Sequence, residues 1–109
     1  MSTSASELRP ALAEDVKVTG DQLKVVLRDG RMIAAPLAWY PRLLHGSVEE
    51  RAEWRLIGNG LGIHWEALDE DISVEGLLAG VPSGESQESL RNWLSSRRRP
   101  IPGRQRRRR

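Results

Sequence analysis

The sequence contains no cysteine and no phenylalanine. Without thiols it can build neither a disulfide framework nor a zinc site based on cysteine, and their absence agrees with a reducing, cytoplasmic setting. No apolar run approaches the ~18 residues of a membrane-spanning helix. The opening residues, MSTSASELRP, lack the basic start and apolar core of a secretory leader. No internal repeat is visible. Aromatic side chains are few, four tryptophans and one tyrosine, so these must supply the bulk that phenylalanine does not. With two histidines, a structural zinc site would need two carboxylates from separate segments. No metal or cofactor is expected.

Acid is missing from one end only. Residues 97–109 hold eight arginines and no Asp or Glu. Residues 1–96 hold nine Lys/Arg against fifteen Asp/Glu, a net charge of −6. An acidic body therefore carries a strongly basic tail, and the overall pI of 9.7 describes the tail.

Between those ends the pattern is that of one small α+β domain. Residues 1–13 are polar and unpatterned, a flexible lead-in. Glu14–Val18 alternates, Thr19-Gly20-Asp21 turns, and Gln22–Arg28 alternates again with Leu23, Val25 and Leu27 inward. Asp29-Gly30 is a hairpin signal, expected as a type I′ turn, and Arg31–Ala35 returns. The result is a three-stranded antiparallel meander. Pro41 sits near the first position of a short helical turn, Trp39–Leu44, ended by Gly46. Ser47 and Glu50 form a capping box for a second short helix.

Trp54–Ile57 and Leu61–Trp65 flank Gly58-Asn59-Gly60 as a second hairpin, with Leu61, Ile63 and Trp65 on one face and His64 on the other. Leu68–Asp71 reads as an acidic turn. Ser73 caps a helix carrying Val74, Leu77 and Leu78, which Gly80 stops. Residues 81–85 read as a linker. Residues 86–97 form an amphipathic helix with Leu90, Trp93 and Leu94 on one stripe, and residues 98–109 read as a disordered tail.

These motifs carry a family resemblance. The Asp-Gly turn, Trp39-Tyr40-Pro41, Gly62-Ile63-His64-Trp65 and Leu68-Asp69-Glu70-Asp71-Ile72-Ser73 occur in the order and spacing of bacterial domain of unknown function 2442. The chain resembles that family over about residues 14–80. The resemblance implies a small antiparallel sheet with short helices and an uncharacterised role. It also implies a partner: some relatives are encoded beside a second small protein, domain of unknown function 4160, and are suspected antitoxins. Others add a helix-turn-helix domain, for which residues 86–109 are too short. It implies no catalytic residues.

His64, Asp69, Glu70 and Asp71 are the best cluster for acid–base or metal chemistry. Their structural reading is stronger: His64 lies on an outward face, and Asp69 or Asp71 suits a turn or helix start. His45, at a helix end, is placed to meet the last carbonyls. Gly58–Gly62 mimics a phosphate loop but lacks the Lys-Ser/Thr pair and leads into a strand.

The arginines Arg97, Arg98, Arg99, Arg104, Arg106, Arg107, Arg108 and Arg109 suit bidentate, salt-sensitive phosphate contact. They equally suit a solubilising tail or a clamp on the acidic body. Trp39, Tyr40, Leu90, Trp93 and Leu94 are the candidates for partner contact, the stripe being too short a helix to stand alone. It must dock on its own sheet or on a second chain, a second copy included. The leading expectation is a non-enzymatic, antitoxin-like partner of another small protein, its tail touching nucleic acid. An autonomous nucleic-acid-binding module and a small enzyme using His64, Asp69 and Asp71 are the alternatives.

Overall fold

In the computed structural model, which describes residues 10–98, strands β1 (Ala13–Val18), β2 (Gln22–Leu27) and β3 (Met32–Pro36) form the meander, antiparallel in the order β1-β2-β3. Alternation places Val16, Leu23, Val25, Leu27 and Ala35 in the core, each 6% exposed or less. The Asp29-Gly30 hairpin forms, but not as a type I′ turn. Gly30 alone of the pair has positive φ, +96°. Its N–H donates to Leu27 O at 3.0 Å, and the Leu27 N–H donates to Arg31 O at 2.8 Å. This is the three-residue loop in which glycine supplies a left-handed bulge residue.

A 3-10 turn, Leu37–Trp39, leads into helix α1 (Pro41–Leu44), with Pro41 at its start, and then α2 (Val48–Ala52). Both bonds of the capping box are made: the Glu50 N–H donates to Ser47 Oγ at 3.0 Å, and the Ser47 N–H donates to Glu50 Oε1 at 2.9 Å.

The second sheet corrects the sequence reading. It has three strands, β4 (Arg55–Ile57), β5 (Gly62–Trp65) and β6 (Glu70–Ser73), antiparallel in that order. The acidic stretch is therefore not all turn. The turn closes at Asp69, whose φ is +52°, and Glu70 and Asp71 already pair with Trp65 and His64 of β5. A strand this short, with Ile72 as its one apolar residue, carries no periodic signal of its own; its neighbour supplies the pairing. Leu61, expected inward, is 48% exposed. The chain winds through a 3-10 turn at Gly58–Gly60, with Asn59 left-handed at φ +59°, so the strand begins only at Gly62.

Helix α3 (Val74–Ala79) begins at β6 without a loop. Ser73 Oγ accepts the Gly76 N–H at 2.9 Å, and Gly80 ends the helix left-handed at φ +73°, as its sequence requires. Both sheets and the intervening turns feed one apolar cluster, which includes Tyr40, Leu43, Ile63, Trp65, Leu68, Val74 and Leu77. Trp65 is fully buried, and its indole N–H donates to Arg51 O at 3.0 Å. Burying each such side chain is worth about 1.5–3 kcal/mol.

The residues expected as a linker are tied to the body: the Ser83 N–H donates to Trp39 O at 3.0 Å. Helix α4 (Gln87–Arg98) follows, and its Leu90, Trp93 and Leu94 are half-buried. Trp93 packs against the core cluster, so the apolar stripe docks on its own chain.

Candidate functional site

The cluster singled out from sequence is a cross-strand ion bridge. His64 and Asp71 are register partners on β5 and β6, which the alternation of both strands turns to the same side. His64 Nδ1 is hydrogen-bonded to Asp71 Oδ1, and Nε2 lies 2.9 Å from Glu66 Oε1. Glu66 also meets Arg55 at 3.5 Å. Only an imidazolium donates from both ring nitrogens, and the hydrogen bonds to Asp71 and then Glu66 raise the His64 pKa above its ordinary value. With both nitrogens engaged, His64 offers no free base. Asp69 does not join it; its Oδ2 sits 3.5 Å from Arg42 Nη1. Asp71 is a strand residue and not a cap, since Ser73 fills that role.

Arg42, on α1, is the hub of a second group. It donates from Nε at 3.0 Å and from Nη2 at 2.7 Å to Glu85, and from Nη1 to the carbonyls of Leu68 (3.3 Å) and Asp69 (3.2 Å). Those hydrogen bonds hold the Glu85 carboxyl below the usual range. The Arg42 guanidinium carbon lies 4.9 Å from the centroid of the Trp93 ring, and that of Arg97 lies 4.7 Å from it. Arg97 in turn donates to Glu50 Oε1 at 2.9 Å, depressing the Glu50 pKa. Glu50 thus completes the cap of α2 and anchors α4.

The third group separates Glu70 from the cluster expected around His64 and sets it beside Tyr40, a pairing that was not anticipated. Glu70 shares a strand face with Ile72, the face turned to the core. Burial pushes its pKa up to about 7, Glu85, Asp71 and Asp69 add to the rise, and Arg42 opposes it. Glu70 borders a cavity of about 230 Å³ that Tyr40 and residues 81–84 also line. Tyr40 is 3% exposed, and its buried hydroxyl has no hydrogen-bond partner among the described residues. Burial, with the charge of Glu70, raises the Tyr40 pKa. Counting back by two from Ile72 was the signal that could have turned Glu70, named with the acidic cluster, toward the core.

The other expected residues are placed as follows. Trp39 is half-buried against the core; Tyr40, expected to face a partner, is inside. The last carbonyls of α1 are met not by His45 but by Arg51, which donates to Leu43 O at 2.8 Å and to Leu44 O at 2.7 Å. Arg97 is engaged with Glu50 and Trp93, and Arg98 closes α4. Arg99, Arg104, Arg106, Arg107, Arg108 and Arg109 lie outside the described residues. An apolar groove also went unforeseen: Leu61 and Leu78, 48% and 47% exposed, line about 460 Å³ with Pro10, Ala11, Ser73 and Glu75.

A family model described as "Protein of unknown function (DUF2442)" matches residues 13–83. No curated protein matches the chain. A crystal structure of a protein of unknown function from Rhodospirillum rubrum ATCC 11170 is similar, with 27% identity and a TM-score of 0.63 over 72% of this chain and 98% of that one. The solution structure of an uncharacterized protein from Chromobacterium violaceum shares the fold, with 21% identity and a TM-score of 0.58 over 80% of this chain and 76% of that one.

Proposed function

This chain belongs to the DUF2442 family of proteins of unknown function, and from that premise we propose that it is a non-enzymatic interaction protein, an antitoxin-like partner of a second small protein. The observation that carries the reading is the groove lined by Leu61 and Leu78, two large apolar side chains about half exposed. Exposed leucines grouped at a groove suit a protein contact. The acidic body, at −6 over residues 1–96, and Glu75 on the groove favour a basic partner that presents aliphatic side chains. The engagement of both His64 nitrogens speaks against the enzyme alternative.

The proposed test is co-expression with the product of the adjacent reading frame. The two chains co-elute, and a Leu61→Asp/Leu78→Asp double variant elutes alone with its melting temperature kept. Separate elution of the parent chains, or co-elution of the double variant, overturns the reading.

The basic tail is proposed to add nucleic-acid contact. Since Arg97 is engaged with Glu50, that contact falls to the seven arginines from Arg98 onward. Phosphate neutralisation of this kind weakens steeply with salt. Deleting 98–109 abolishes retention on a nucleic-acid column; equal retention of the truncated chain rejects it.

A further inference from the structure

We infer that the chain pairs with a second copy of itself through the open edge of β1, antiparallel and centred on Val16. The first observation is the direction of the backbone. The Thr19 N–H donates to Gln22 O at 2.9 Å. Antiparallel alternation from that bond turns Lys17 and Asp15 toward β2 and leaves Val16 and Val18 facing away from it. On that side β1 has no neighbouring strand among the described residues. The Val16 N–H is met there by the side chain of the preceding residue, Asp15 Oδ1, at 2.9 Å, a local contact that a carbonyl of another strand can replace. The edge is also open in space. A groove of about 320 Å³ separates it from α2, lined by Val16, Val18, Val48, Ala52 and Trp54 among others, and Val48 is 74% exposed.

Charge selects the occupant. Lys17 is the register partner of Lys24, so two like charges stand opposite one another on the solvent face, which costs stability. Neither lysine makes an ion pair among the described residues, and nor does Asp15. A two-fold axis perpendicular to the sheet keeps each side chain on its own face, so the axis falls between two copies of the same residue. Centred on Val16, it sets Asp15 of each copy opposite Lys17 of the other. These are the non-hydrogen-bonded pairs, whose side chains approach most closely, with ~4.5 Å between Cα atoms. Lys17, flanked by Lys24 on one side, gains a carboxylate on the other. Val16 becomes the hydrogen-bonded pair: each N–H donates to the C=O of the other copy, and each Asp15 carboxylate is released to its new lysine. Centring on Asp15 or on Lys17 would oppose like charges instead. The edge is therefore complementary to itself, in one register. Such an interface is isologous and closes at two copies, joining two three-stranded meanders into one continuous sheet. It uses none of the residues of the Leu61 and Leu78 groove.

The test uses the full chain, followed by sedimentation and NMR from about 10 μM to about 1 mM, the weak regime of an interface under ~1,200 Å². The parent self-associates reversibly, and exchange of the Val16 amide slows as it does. An isotope-filtered NOE joins the Hα protons of Asp15 in one copy and Lys17 in the other, the signature of the Val16-centred register. Asp15→Lys and Lys17→Asp each set like charges across the junction and weaken association at least tenfold. Both side chains are exposed, so each variant keeps its cooperative melt. The Asp15→Lys/Lys17→Asp double variant recovers association. So does a mixture of the two single variants, whose charges complement one another only in the mixed pair. A parent that stays monomeric at about 1 mM overturns the inference and leaves the edge to a strand of another protein. Single variants that associate as the parent does, or a mixture that stays monomeric, overturn it equally. The outcome is separable from the groove reading. Leu61→Asp/Leu78→Asp pairs as the parent does, and its failure to pair would place self-association at the groove and overturn the β1 edge.

Discussion

Arg42 and Glu85 stand 43 residues apart in the chain and share an ion pair of 2.7 Å, their side chains 15% and 9% exposed. That pair joins α1 to the segment entering α4. Glu85 also accepts the Ser89 hydroxyl at 2.9 Å, so one carboxylate fixes both the approach and the first turn of the helix. Removing it leaves Arg42 with carbonyls and the exposed Asp69 alone. Glu85→Ala should lower stability by about 1.5–3 kcal/mol, the range for hydrogen bonds to charged groups. Chemical denaturation checks this, and a change below 0.5 kcal/mol would show that the pair is not holding the segment.

Trp93 is half-buried between the core and two guanidinium groups. An exposed cation–π contact is worth about 0.5–1 kcal/mol, and a helix of twelve residues is marginal without docking. Trp93→Ala should therefore release α4 and leave the sheets intact. Hydrogen exchange reads the difference: protection lost over 87–98 and unchanged in β2 and β5.

Glu70 sets the sign of the pH dependence. In the fold it holds its proton to about pH 7, against 4.5 for a free carboxyl. Between those values the unfolded chain binds fewer protons than the folded one, so stability falls as pH rises from 4.5 to about 7. Glu70→Gln removes that decline and melts higher than the parent at pH 8. Thermal melts across the window test it; an identical slope in the variant assigns the decline elsewhere.

His64 works in a neighbouring window. Its pKa is raised by Asp71 and Glu66, so its contribution is complete below the ordinary value of 6.5 and is lost as pH rises through the folded value. Asp71→Asn should bring the imidazole titration, read by NMR, back toward 6.5. A midpoint that stays put would mean that Asp71 does not charge the ring.

Gly60 lies at φ +100°, and a Cβ there would stand 2.8 Å from Ala13 O. Gly60→Ala should cost about 1–3 kcal/mol for the left-handed backbone alone, with the clash added. Gly20, which has nothing within 4 Å of its Cβ position and no positive φ, is the control: Gly20→Ala should be neutral or slightly stabilising.

Local chemistry made much of this fold legible in the sequence. Ser47 with Glu50, Ser73 and Gly80 act within one turn of the chain, so spacing alone locates them, and the burial of Leu23, Val25 and Leu27 follows from alternation along a single strand. The third strand of the second sheet needed β5 as a template, and the three-residue geometry at Asp29-Gly30 depended on the register of its flanking strands. Long-range pairing was beyond any pattern: nothing in the sequence joins Arg42 to Glu85 or Arg97 to Glu50, because side chains 43 and 47 residues apart meet only when packing brings their segments together. Tyr40 shows the same division. Its place beside Pro41 predicts a helix start, whereas its burial, and the carboxylate of Glu70 facing the same cavity, are decided by how β6 closes over α1. Composition and local spacing determined an acidic α+β body with capped helices and a basic end, since those follow from each residue and its near neighbours. Tertiary packing decided which charges are neutralised and which are left unpaired, since that depends on distances between segments the chain order does not set.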